Sequence, residues 1–191
     1  MADNKLDIRV YPLENPQGNT KAFASIAVDD LIAIRGVRVV ESEKGLFVSM
    51  PQSQDKKTNE YRDVAFPVNG DLRKEINQAV LDEYTRVINL APDERSYDKP
   101  ETDAASNINA ADIKLDIRVY AVSEAHGNAK AFASVTVEDV IAIRGLRVVE
   151  GDKDLFVTMP QSKDKNGDHH DIAFPLNGNL RKESAKAVLE K

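Results

Sequence analysis

The side chains best placed to do chemistry in this sequence are cations. Arg73 with Lys74, repeated as Arg181 with Lys182, sets two neighbouring positive charges just after a proline and an asparagine that announce a helix start. Cations in a first helical turn oppose the helix dipole by about 0.3 to 1 kcal/mol unless an anion is present, so the placement favours an anionic partner. Free backbone N–H groups and two cations would together clamp a phosphate. The plainer reading is a solvated face on which Asp71 offsets Lys74 at i,i+3. A second basic set, Arg35 and Arg38 with Arg144 and Arg147, belongs to strand-like segments. There it either lines a basic stripe on an open sheet face or merely keeps an exposed face or edge from aggregating.

Other candidates carry less. His169 and His170 stand between Asp168 and Asp171, which superficially suggests a metal site. Adjacent strand residues point to opposite faces, so the two imidazoles do not converge on one ion, and copy one has Glu60 and Tyr61 there. No metal and no cofactor is expected. Phe47 and Phe156 could stack on bases, but burial in a core or an interface is the commoner use of an aromatic residue. Ser25 and Ser134 have no histidine to activate them, and no glycine-rich phosphate loop is present. An enzyme is therefore not expected.

The chain that must position these residues has 191 residues, 41% hydrophobic and 30% charged, a normal globular balance. It contains no cysteine, which removes disulfides, thiolate metal sites and cysteine nucleophiles. A net charge of −6 argues against coating nucleic acid by bulk electrostatics and confines such binding to local basic patches. No apolar run is long enough for a membrane span, and MADNKLDIR lacks the order of a secretory signal, so a cytoplasmic protein without membrane contact is expected.

The stretch KLDIRVY occurs at Lys5 to Tyr11 and again at Lys114 to Tyr120. The match runs without a gap to Lys56 against Lys165, loses one residue, and resumes at Asp63 against Asp171; the copies are roughly two-thirds identical. The chain thus reads as two domains, 5–90 and 114–191, joined by a polar, proline-containing linker at 91–113. An alternative at the end of the linker is that Ala110 to Asp112 extend the first strand of copy two.

Within a copy, strands come first and one helix last. Leu6, Ile8 and Val10 alternate with polar neighbours, and Ala22, Ala24, Ile26 and Val28 share one face of a second strand, reached through a turn at Gly18 and Asn19. In LIAIRGVRVVE the apolar phase slips by one at Gly36, the signature of a bulge that directs Arg35 and Arg38 away from the apolar side. GLFVSMP and RDVAFP are expected to complete the sheet around a polar loop. The helix starts at Asn69 or Asp71 and presents Ile76, Val80, Tyr84, Val87 and Ile88 to the sheet; in copy two Ser184 replaces Ile76 and the helix is shorter. The expected fold is α+β: two tandem domains, each an antiparallel sheet followed by one C-terminal helix. Domains this small are marginal alone, so the copies are expected to pack as an intrachain pseudo-dimer, with further homo-oligomer formation left open.

GLFVSMP followed by YRDVAFPVNGDLRKEINQAVLDEY resembles the SpoVG family, named for stage V sporulation and septation in bacteria. The similarity rests on Leu46, Phe47, Val48, Met50, Pro51, Arg62, Asp63, Pro67, Asn69, Arg73, Ile76, Ala79, Val80, Leu81, Glu83 and Tyr84, and it spans essentially all of each copy. It implies a small cytoplasmic dimeric regulator linked to septum formation and sporulation, with members that bind DNA or RNA through basic residues in the loop after Met-Pro and at the helix start. On this chain those positions correspond to Lys56, Lys57, Lys163 and Lys165 in the loops, with Arg73, Lys74, Arg181 and Lys182 on the helices. Gln52, Ser53 and Gln54 stand where the family usually has a basic pair, and Gly36 and Gly145 where it has a polar or acidic residue. The function expected is a non-enzymatic DNA- or RNA-binding regulator; the alternative is a protein-interaction module in cell division.

Overall fold

The computed structural model describes residues 4–16, 18–55, 58–95, 109–126 and 128–191, with the backbone alone described at 123–126. Copy one contains β1 (Leu6–Pro12), β2 (Thr20–Val28), β3 (Ile32–Ser42), β4 (Gly45–Ser49), β5 (Gln52–Gln54), β6 (Tyr61–Asp63), β7 (Ala65–Pro67) and α1 (Gly70–Ile88). Copy two repeats them as β8 (Leu115–His126), β9 (Ala129–Val137), β10 (Ile141–Glu150), β11 (Leu155–Thr158), β12 (Gln161–Lys163), β13 (His169–Asp171), β14 (Ala173–Pro175) and α2 (Gly178–Leu189). No helix among the described residues is long and apolar enough to cross a membrane.

Alternation builds each sheet. In copy one β1 pairs antiparallel with β2, and β2 with β3, so that Val10, Ala24, Ile26, Val37 and Val39 all turn to a buried inner face. The helix covers that face through Leu72, Ile76, Val80 and Val87. Tyr84 is half-buried and Ile88 is exposed, so the apolar stripe gains Leu72 at its start and loses Ile88 at its end. Asn69, not Asp71, caps α1: its side chain accepts from the Asp71 N–H at 2.8 Å, one of the donors a helix leaves unpaired. Asn177 does the same for α2. That helix has 12 residues against 19 in α1, and its Ser184 is buried at the position of Ile76 with its hydroxyl unpartnered.

The bulge forms where the phase slip placed it. Between the pairs Ala24–Val37 and Ile26–Ile34, Arg35 and Gly36 together oppose Ser25, and Gly36 takes φ +74, a left-handed value that glycine adopts without a Cβ penalty. Gly145 repeats this at φ +80.

The closing strands correct the expectation that RDVAFP completes its own sheet. Strand β7 of copy one pairs with β10 of copy two, and β14 of copy two pairs with β3 of copy one. Matching backbone bonds flank each crossing: Arg144 N–H to Val64 O at 2.7 Å and Val68 N–H to Val140 O at 3.0 Å, with Arg35 N–H to Ile172 O at 2.7 Å and Leu176 N–H to Leu31 O at 2.8 Å in return. The bulge is also the place where β3 changes its edge partner. Residues 32–34 pair with the foreign β14 and residues 38–42 with the copy's own β4. Buried side chains of both copies consequently form one contiguous core, including Ile34, Val39, Ala65, Ile143, Leu146 and Ala173. The pseudo-dimer is thus interlocked as well as packed.

Two further departures concern polar segments. The loop after Met-Pro contains a hairpin in each copy, β5 with β6 and β12 with β13. Its register pairs Gln54 with Tyr61 and Lys163 with His169, so Tyr61 and Arg62 are the counterparts of His169 and His170, and the missing residue lies in the hairpin turn. Ala110–Asp112 form a short 3-10 turn capped by Asn109, with Ala110 in the core, and do not extend β8.

Candidate nucleic-acid interface

Local chemistry already engages the helix-start cations. Arg73 meets Asp63 at 2.7 Å, and the other oxygen of Asp63 accepts from the Gln52 amide at 3.0 Å. Copy two repeats this triad with Arg181 to Asp171 at 2.8 Å and Gln161 to Asp171 at 2.9 Å. Each arginine therefore ties its hairpin to its helix. Lys74 pairs with Asp71 at 3.1 Å, as the i,i+3 spacing allows. Exposed ion pairs of this kind contribute about 0 to 1 kcal/mol each, so the arginines hold orientation more than stability. Lys182 is exposed and has no carboxylate partner among the described residues.

Lys163 is exposed on β12 and Lys165 in the turn that follows; Lys56 and Lys57 lie outside the described residues. Across that second turn the ring of His170 approaches Asp164 at 3.0 Å. The His170 hydrogen bond, with the N–H groups of Asp168 and Asn166, holds the Asp164 carboxyl below the ordinary carboxylate value.

The central-strand arginines are arranged differently. Arg35 lies over the Phe174 ring at 4.8 Å and Arg144 over the Phe66 ring at 4.5 Å, each covering a phenylalanine delivered by the other copy. Arg38 approaches Ser49 Oγ at 3.5 Å. Among the described residues no carboxylate lies within ion-pair distance of Arg35, Arg38, Arg144 or Arg147. Arg35 and Arg38 also line a cleft of about 290 Å³, closed on one side by Gln52 and Tyr61 of copy one and on the other by Ser162 and His170 of copy two. The exchange thus brings hairpin residues of both copies to one basic strand, a proximity no single copy encodes.

The aromatic residues do not enter the core, which corrects the core half of the expectation of core or interface packing. Phe47 is 45% exposed and Phe156 47%, and they share the outer sheet face with Phe23 at 43% and Phe132 at 36%. Sequence reasoning missed Phe23 and Phe132. The available signal was their placement one step out of phase with the buried alanines on either side.

Comparison with known proteins follows the same division into copies. The family model described as SpoVG matches residues 4–86 and, again, 113–191. The chain is 37% identical over 101 residues to SpoVG of Staphylococcus carnosus, covering 53% of this chain and 91% of that protein. It is 36% identical over 98 residues to SpoVG of Staphylococcus aureus strain MRSA252, covering 51% and 96%, and 38% identical over 100 residues to SpoVG of Staphylococcus epidermidis, covering 52% and 96%. All three relatives are named for septation. Nearly the whole of each relative therefore accounts for about half of this chain.

Proposed function

This chain belongs to the SpoVG family of septation- and sporulation-related proteins, and on that premise we propose that it is a non-enzymatic, cytoplasmic regulator that binds DNA or RNA. The observation that carries the reading is the set of four central-strand arginines without carboxylate partners, two of them lining a cleft between hairpins of the two copies. A chain of net charge −6 binds a polyanion only where its cations are collected and left unneutralised. Phosphate oxygens are the natural occupants of such a site, because arginine donates to them in a forked geometry. Lys163, Lys165 and Lys182 are further exposed cations. Arg73 and Arg181 take a positioning role, since each already donates through Nη2 to Asp63 or Asp171.

A protein-interaction module in cell division is the second reading, and the exposed outer-face phenylalanines favour it. A gel-shift titration with DNA and RNA at 50 and 200 mM salt separates the two. The nucleic-acid reading expects retardation that weakens steeply with salt and is lost in Arg38→Glu/Arg147→Glu. Absence of retardation at both salt concentrations, or identical behaviour of wild type and variant, refutes it.

A further inference from the structure

We propose that the outer face of each sheet is a stacking platform for single-stranded nucleic acid, with bases laid on Phe23 and Phe47 in copy one and on Phe132 and Phe156 in copy two, while Arg38 and Arg147 hold the phosphates. This deepens the nucleic-acid reading and rests on it. The argument starts from register. Across copy one Tyr11 opposes Phe23, Phe23 opposes Arg38 and Arg38 opposes Ser49, a single row over four strands. Phe47 stands one outward position further along β4, opposite Val40. Copy two reproduces the row as Tyr120, Phe132, Arg147 and Thr158, with Phe156 opposite Val149.

Directly opposed side chains on one sheet face lie about 5 Å apart, and alternate residues along a strand about 7 Å apart. Phe23 and Phe47, two strands and one outward step apart, therefore stand roughly 12 Å apart with Arg38 on the strand between them, which suits bases two nucleotides apart on an extended strand. The inner-face neighbours of these residues, Ala22, Ala24, Val37 and Val39, are fully packed, whereas the phenylalanines keep about two-fifths of their surface in water. Neither helix is available to cover them, because each lies on the inner face.

Charge decides the occupant. No carboxylate of the described residues pairs with Arg38 or Arg147; Asp171, which lines the same cleft as Arg38, is paired with Arg181, and the outward Asp7 and Asp116 are paired with Arg9 and Arg118. A second copy of this chain docking face to face would set arginine against arginine. Duplex nucleic acid keeps its bases stacked inside and offers no π-face to a flat sheet. A single strand supplies both phosphates and exposed bases, and aromatic platforms accept it with little sequence preference.

The test measures fluorescence anisotropy of the full chain with fluorescein-labelled 20-nucleotide oligothymidylate, 20-nucleotide oligouridylate and a 20-base-pair DNA duplex at 50 mM salt. Single strands are expected to bind at least tenfold more tightly than duplex. Phe23→Leu/Phe132→Leu keeps apolar bulk without an aromatic face and should weaken single-strand binding about tenfold, while Phe23→Tyr/Phe132→Tyr keeps it. Thermal melts of both variants should match wild type, since the rings are exposed. Equal duplex binding by wild type, or single-strand binding that survives in the leucine variant, overturns the platform and leaves the nucleic-acid reading standing. Failure of wild type to bind any probe overturns both. Self-association of wild type that the leucine variant abolishes also overturns the platform and makes this face a contact between chains.

Discussion

Phe174→Ala tests the interlocking of the copies, because the residue belongs to copy two by sequence and to copy one by packing. It sits on β14 opposite Ala33 of β3, only 8% exposed, beneath the Arg35 guanidinium. Truncating a buried phenylalanine costs about 3 to 5 kcal/mol, and this ring lies on a sheet face and not in the deepest core, so the lower end applies. About 0.5 to 1 kcal/mol of that should be the arginine contact, recovered as coupling in a double-mutant cycle with Arg35→Ala. Urea unfolding reads the loss as a fall in midpoint at unchanged slope. The decisive readout is hydrogen exchange. Amides of Val37 and Val39 in copy one should lose protection together with those of Leu146 and Val148 in copy two, because one core contains all four. A loss under about 1 kcal/mol, or protection lost in copy two alone, refutes the reasoning.

Other expectations concern single sites. Ser184→Ala removes a buried, unpartnered hydroxyl from the interior of α2 and improves helix propensity, so it should stabilise by about 1 kcal/mol and raise the melting temperature by about 2 to 4 °C; a lower melting temperature contradicts this. Gly36→Ala meets no clash, its nearest neighbour being Pro51 at 3.9 Å, so its cost should be the left-handed backbone alone, about 1 to 2 kcal/mol by denaturant titration. Gly36→Asn should cost less, and equal costs would contradict that account. Asp164 has a depressed pKa in the folded state, so its stabilising effect is present above the ordinary carboxylate pKa and fades as pH falls through the lower folded value. An NMR titration should place its midpoint below the ordinary carboxylate range and show it rising in His170→Ala; an unchanged midpoint refutes the assignment of cause.

How much of this was legible follows from what each segment's side chains must satisfy. Alternation at Leu6 to Val10 and Ala22 to Val28 needs one buried face, and the phase slip at Gly36 needs a bulge; both constraints are local and both appear in the fold. The exchange is different. AFP occurs in both copies and opposes the same β3 or β10 residues whichever copy supplies it, so pairing preference cannot tell self from other. Only the path of the chain through Pro51 and Val64 decides, and periodicity does not encode that path. The hairpins escaped notice because QSQ and YRD are exposed on both faces and carry no alternation. Their signal was the repeated Gln-to-Asp spacing that now bonds Gln52 to Asp63 and Gln161 to Asp171. In LFV every residue is apolar, so the exposed phenylalanine could be identified only once β4 was paired with β3.

Arginines 73 and 181 were found as cations but not as hairpin ties, since their partners stand ten residues away on an element the sequence does not announce. The central arginines were placed on the outer face by the bulge argument. Their cover on Phe174 and Phe66 depends on the crossing strands and was invisible for the same reason as the crossing itself.

Solution mass tests the central claim most directly. If β7 and β14 exchange within one polypeptide, each chain satisfies both closing edges by itself, and light scattering across micromolar concentrations should report a compact particle of 21.1 kDa. A particle of twice that mass that persists both on dilution and in Phe23→Leu/Phe132→Leu would mean that the strands cross between chains and would contradict the account.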